Sequence, residues 1–182
     1  NIIVLNVSNY EPVKNQELAI RSFLQAGIPG SVFFLVGSVF NSVSERLQYI
    51  YRDLKSTGKY PGEVIFLEKI PREEVFAYYA IADVFLLTSV TELQPLVLLD
   101  AECIGLPFIT TVGGVVPDMQ RGTVAKTTNE IASALTSVYN SKGSRIKAED
   151  IETLLLKCAN HPSIAFSFAQ HQEIVNRLLS EI

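Results

Sequence analysis

At 182 residues the chain is long enough for one large domain with a substantial core. Its 48 % apolar content, with 10 Gly and 8 Pro spread along it, excludes a disordered or low-complexity protein. A net charge of −4 and a pI near 5.2, without a Lys/Arg cluster, argue against a nucleic-acid-binding surface.

The elements alternate from the first residues onward. Residues 2–7 (IIVLNV) read as a strand, and 15–26 as a helix closed by Gly27 and Pro29. Residues 32–36 form a second strand ending at Gly37. The helix 43–56 follows, with Ser42 and Glu45 in capping-box spacing and Gly58 as its stop. Residues 64–67 make a third strand. The helix 72–82 follows Pro71, with Glu73 and Glu74 in its first turn, where the helix dipole favours acids. A fourth strand spans 83–88. A short helix spans 95–104 with Pro95 at its first turn, and a fifth strand spans 108–111. A short extended piece at 123–126 precedes three helical patterns at 129–140, 148–159 and 163–179. The apolar run 96–117 could suggest a membrane span, but Asp100, Glu102, Gly105, Pro107 and the Gly113-Gly114 pair break it into helix, strand and loop.

Strands that are apolar throughout, alternating with helices, predict an α/β fold. The sheet should be doubly wound, parallel and Rossmann-like, flanked by helices, with extra helices at the C-terminus. One such domain is expected over residues 1–182, with 163–182 as its closing helix. Cys103 and Cys158 have no metal-ligand spacing and read as buried free thiols in a reducing compartment, so a cytoplasmic location is expected. The start at Asn1, directly in a strand, suggests a domain taken from a longer protein.

Ligands of such sheets bind beyond the carboxyl ends of the strands. That rule selects the loops 8–14, 37–41, 68–71, 89–94 and 112–118, which hold a lone Lys14, an isolated Gly37, Glu92 and Gly113-Gly114. The segment ELQPLVLLD sets two carboxylates, Glu92 and Asp100, eight positions apart in an aliphatic run. A carboxylate in such surroundings needs hydrogen-bond donors, and sugar hydroxyls supply them. The helix opening at Gln94–Pro95 offers free N–H groups and a positive dipole end as a seat for phosphate. Lys14, on the same edge, adds a full charge. A nucleotide diphosphate sugar fits this layout.

SVTELQPLVLLDA, residues 89–101, resembles the Glu-x7-Glu motif of the retaining glycosyltransferases of the group-1 class (family 4, GT-B fold). Gly105, Pro107, Gly113-Gly114, Pro117 and Asp118 resemble that family's downstream pattern. VSNYEPVKNQELAIRSF resembles its first loop and helix, and FSFAQHQEIVNRLL its closing helix. The resemblance implies a sugar-transferring enzyme that takes a nucleotide diphosphate sugar as substrate, with no cofactor and no metal. It assigns Glu92 and Lys14 to catalysis. Asn9, Gly37, Glu68, Lys69, Ile70, Leu93, Gln94, Leu96, Val97 and Asp100 are assigned to the donor, with 68–70 bordering the base through backbone groups.

The partner it implies is an N-terminal acceptor-binding domain in cis, and any membrane association would be peripheral and through the parent protein. The acceptor class would be a hydroxyl of a glycan or glycolipid, as in polysaccharide biosynthesis. Three positions depart from the family pattern. Asn9 stands where an Arg is usual, and loss of a charged phosphate contact costs about 1.5–3 kcal/mol. Asp100 replaces Glu, and Leu93-Gln94 replaces Gly-Phe. A nucleotide-sugar epimerase of the same fold and a non-catalytic α/β binding module are the alternative readings. His161, His171 and Asp83 read as structural, and Tyr78 and Tyr79 as helix packing.

Overall fold

The computed structural model describes residues 1–93, 95–112 and 121–141. In chain order these form β1 (Ile3–Val7), α1 (Gln16–Ala26), β2 (Val32–Gly37), α2 (Ser42–Ser56), β3 (Glu63–Glu68), α3 (Arg72–Ile81), β4 (Val84–Leu87), α4 (Leu96–Cys103), β5 (Phe108–Thr110), β6 (Gly122–Val124) and α5 (Thr128–Ser141). A single 3-10 turn, Pro12–Lys14, lies between β1 and α1. The expected helices at 148–159 and 163–179, with Cys158, His161 and His171, lie outside the described residues, as do Gln94, Gly113-Gly114, Pro117 and Asp118.

The strands pair in the order β3-β2-β1-β4-β5-β6, and every pair is parallel. The piece expected to be merely extended is therefore the sixth strand, in register with β5 from Phe108 opposite Gly122 to Thr110 opposite Val124. Successive strand residues feed opposite faces. Val4, Phe33, Leu35, Leu86 and Ile109 pack with Ile20, Leu24, Leu47 and Ile131 of α1, α2 and α5. Leu5, Phe34, Val36, Phe85, Leu87 and Phe108 pack with Tyr78, Tyr79, Leu98 and Ala101 of α3 and α4. Each fully buried Leu or Phe contributes about 1.5–3 kcal/mol, so both faces of the sheet hold the layers together.

Asp83 ties the two central strands at their amino ends: its carboxylate accepts from the Ile3 N–H at 2.7 Å, and its own N–H donates to the Ile3 carbonyl at 2.8 Å. Chain order reverses between β1 and β4, so the helices leaving these strands diverge to opposite faces and open a crevice above their carboxyl ends.

Three local expectations need correction. The box that starts α2 is formed by Asn41 and Ser44, not by Ser42 and Glu45. The Asn41 side chain accepts from the N–H groups of Val43 and Ser44 while Ser44 Oγ accepts from Asn41 N–H. Pro95 is the residue before α4, with extended backbone, and the helix proper begins at Leu96. Cys103 is exposed, because Leu98 and Ala101 are the residues α4 turns toward the sheet.

Candidate functional site

The crevice at the switch point is built first by the loop leaving β1. Asn6 is fully buried, its amide donating to the Leu86 carbonyl at 2.7 Å and its oxygen accepting from Ser8 Oγ at 2.7 Å. Gln16, also buried, donates to Ser8 Oγ and to the Asn9 carbonyl. Tyr10 then lays its ring on Gly37, where any Cβ would collide with it. Its hydroxyl is 2.8 Å from the Leu35 carbonyl and 2.9 Å from that of Leu67. Burial, and then the Glu68 carboxylate, push the Tyr10 hydroxyl well above its ordinary range, so it stays a donor.

The 3-10 turn that carries Lys14 is lashed to the loop after β4. Val90 N–H donates to the Val13 carbonyl at 2.8 Å, and Thr88 Oγ1 lies within 3.1 Å of the Lys14 and Asn15 carbonyls. Asn15, at φ 47°, takes the left-handed conformation that an Asn tolerates. This lashing brings residues 78 positions apart together: Lys14 Nζ donates to Glu92 Oε1 at 2.7 Å, and Ser89 Oγ donates to the same oxygen at 2.6 Å. Both partners are mostly shielded, with side chains 22 % and 13 % exposed. Low exposure strengthens their mutual attraction and at the same time costs the desolvation of both charges.

Asp100 lies on α4, half-buried, across from Tyr79 of α3. Burial, and then this carboxylate, push the Tyr79 hydroxyl well up. That hydroxyl donates to the Val97 carbonyl at 3.2 Å, and its ring stacks on Phe85 at 5.3 Å. Tyr79 is thus helix packing, as expected, and also a wall of the crevice.

A cavity of about 550 Å³ occupies this place, a size ordinary for a small-ligand site. Lys14, Glu92 and Asp100 all line it, together with Asn9, Gly37, Ile70, Pro95, Leu96 and Val97. Of the remaining sequence candidates, Leu93 projects wholly into solvent. Glu68 accepts from the Phe40 N–H at 2.6 Å, and so ties the loop after β2 to the end of β3. Lys69, left-handed at φ 55°, donates its N–H to the Ser38 carbonyl at 3.0 Å. These two residues shape the loops beside Ile70.

The sequence reading missed one whole wall. Arg72, Val75, Phe76 and Tyr79 of α3 line the cavity, and their spacing of three, four and seven is that of one helical face. Among the described residues, no group of three or more His, Cys, Asp or Glu side chains is arranged to hold a metal ion. No described helix is long and apolar enough to cross a membrane.

The family model described as "Glycosyl transferases group 1" matches residues 1–152. No curated protein matches the sequence. Solved structures do match in fold. A sucrose-phosphate synthase from Thermosynechococcus elongatus superposes with a TM-score of 0.66 at 23 % identity, over 100 % of this chain and 46 % of that one. A glycosyltransferase from Rickettsia africae gives 0.63 at 15 % identity, over 98 % and 48 %. The catalytic domain of a cholesterol-alpha-glucosyltransferase from Helicobacter pylori gives 0.54 at 11 % identity, over 86 % and 95 %. The chain thus spans less than half of the first two.

Proposed function

Matched over residues 1–152, the chain belongs to the group-1 glycosyl transferases, and from that premise we propose that it forms the nucleotide-sugar-binding part of a retaining glycosyltransferase. The sugar would pass from a nucleotide diphosphate donor to a hydroxyl of a glycan or glycolipid. One observation carries this reading. The Lys14–Glu92 pair, 78 positions apart in sequence, and Asp100 line one cavity at the start of α4.

In this reading the donor diphosphate lies at the N-terminus of α4, where the N–H groups of the first turn and Lys14 Nζ stabilise the charge that develops as the leaving group departs. Glu92, held in place by Lys14 and Ser89, accepts hydrogen bonds from hydroxyls of the sugar, and Asp100 accepts them from those of the ribose. The bond between the anomeric carbon and the β-phosphate oxygen breaks with its electron pair going to the phosphate. The acceptor hydroxyl attacks the same face, and its proton passes to the departing phosphate oxygen. Lys14 must then divide its three N–H donors between Glu92 and phosphate, which its geometry as an ammonium permits.

Titration calorimetry with nucleoside diphosphates and their sugar esters, with and without chelator, tests the proposal. Binding that survives chelation is expected. Strict dependence on Mg²⁺ or Mn²⁺ would refute it, since charge neutralisation is assigned to Lys14 and backbone N–H groups.

A further inference from the structure

We infer that Arg72 reads the base of the nucleotide, and that the donor base is one presenting a ring carbonyl, uracil or guanine, in preference to adenine. The inference rests on the nucleotide-sugar reading of the same cavity. Four cavity-lining residues of α3 fall on one helical face, with Tyr79 at one end and Arg72 at the other. Seven residues of helix separate these ends by about 10 Å, the span of a nucleoside from ribose to far base edge. Tyr79 lies by Asp100, the ribose acceptor, close enough for the carboxylate to shift the tyrosine hydroxyl. Between the ends, Val75 and Phe76, with Ile70 from the loop before α3, offer apolar surface for the flat faces of a base. The sequence of chemistries along α3 therefore matches that of a nucleoside: ribose, ring, polar edge.

Arg72 is suited to that edge by its availability. Lys14, the other cation of the cavity, is held by Glu92 at 2.7 Å. The Arg72 guanidinium is paired with no carboxylate among the described residues, and its side chain is exposed at the mouth of the cavity. A guanidinium has donors only. At that edge it can meet the O4 of uracil or the O6 of guanine, whereas adenine presents an amino donor in place of that oxygen. A donor-only group facing an amino group leaves both unsatisfied, and that mismatch is the basis of discrimination.

The test is calorimetric titration of the 182-residue chain, and of its Arg72→Met and Arg72→Lys variants, with UDP, GDP and ADP. Circular dichroism melts confirm that each variant folds, as expected for an exposed position. The unaltered chain should bind UDP or GDP at least about tenfold more tightly than ADP, in line with one hydrogen bond from a charged donor. Arg72→Met should weaken that preferred ligand by about the same factor and leave ADP unchanged, and Arg72→Lys should restore part of the preference. ADP bound as well as the others, or an equal loss for all three ligands in Arg72→Met, would overturn the assignment while leaving nucleotide binding intact. Absence of binding to any of the three would instead remove the nucleotide reading and this inference with it.

Discussion

Lys14 and Glu92 hold each other across the crevice, so the two carboxylates differ in what their removal frees. Asp100 is assigned to the ribose, which is present in every nucleoside diphosphate, so Asp100→Asn should weaken UDP or GDP as well as the sugar-bearing donor. Glu92 is assigned to the transferred sugar. Glu92→Gln removes the counter-charge from Lys14 and leaves that ammonium free for phosphate, so nucleoside diphosphate should bind at least as well as before. Only the sugar ester should lose affinity. A charge-assisted hydrogen bond is worth about 1.5–3 kcal/mol, which corresponds to roughly tenfold or more in Kd. Parallel titrations check this, and equal effects of both changes on both ligands would contradict the division. The sequence revealed both carboxylates and the lysine because they stand out chemically from an apolar run and a short loop. It did not reveal Asn6, Gln16, Ser8 and Ser89, whose hydrogen bonds fix the loops. Their side chains bond within the crevice walls, and in the sequence Asn6 and Gln16 read as ordinary strand and helix residues and Ser8 and Ser89 as ordinary loop serines.

The elements were legible to within a residue or two where periodicity was strong and less so where a cap decides the end. Residues 43–56 carried a helical pattern, but the local choice of cap fell to Asn41, whose amide also reaches back to the Tyr10 carbonyl at 2.9 Å. A tertiary contact of that kind is invisible in the spacing of Ser42 and Glu45. Similarly, residues 122–124 are too few and too polar to announce a strand, and they become one because β5 offers an open edge. The other edge strand, β3, shows how charge is managed at such a margin. Lys55 donates to Glu63 at 2.6 Å, and the Tyr51 hydroxyl donates to the same carboxylate. Lys55, and then Tyr51, hold the Glu63 carboxyl below its ordinary value of 4.5. Burial, and then Glu63, push the Tyr51 hydroxyl up to about 12. A carboxyl lowered by folding contributes stability that is present above its unfolded value and is lost as pH falls through the folded one. Glu63→Gln should therefore destabilise the chain at neutral pH, and the gap should close under acid. With the Glu63 side chain 57 % exposed, solvent screening keeps the effect small. Thermal melts of both proteins from about pH 7 down to pH 3 measure it, and a gap that is constant or widens on acidification would show that the network acts through packing alone.

For the whole molecule, the parallel sheet explains why one cavity gathers residues from 7 to 100. The order β3-β2-β1-β4-β5-β6 places the ends of β1, β2 and β4 side by side, and α3 and α4, both packed on the same face, form the walls. Every group assigned above acts on the donor: phosphate at α4, sugar at Glu92, ribose at Asp100, base at Arg72. None is assigned to the acceptor. The Thermosynechococcus and Rickettsia structures extend over more than twice the length that this chain covers, which leaves room in such proteins for an acceptor-binding part. Holding two reactants in attacking geometry accounts for up to about 7–11 kcal/mol of a two-substrate barrier, and a domain that orients only the donor forgoes most of it. The 182 residues alone should therefore bind a nucleotide sugar without transferring it. Incubation of the purified chain with its tightest-binding donor and a range of hydroxyl acceptors, monitored by release of nucleoside diphosphate, should give no release above the rate without protein. Sustained multiple turnover would mean that acceptor and donor are both oriented by these residues, and that the groups lining the cavity between α3 and α4 do more than receive the donor.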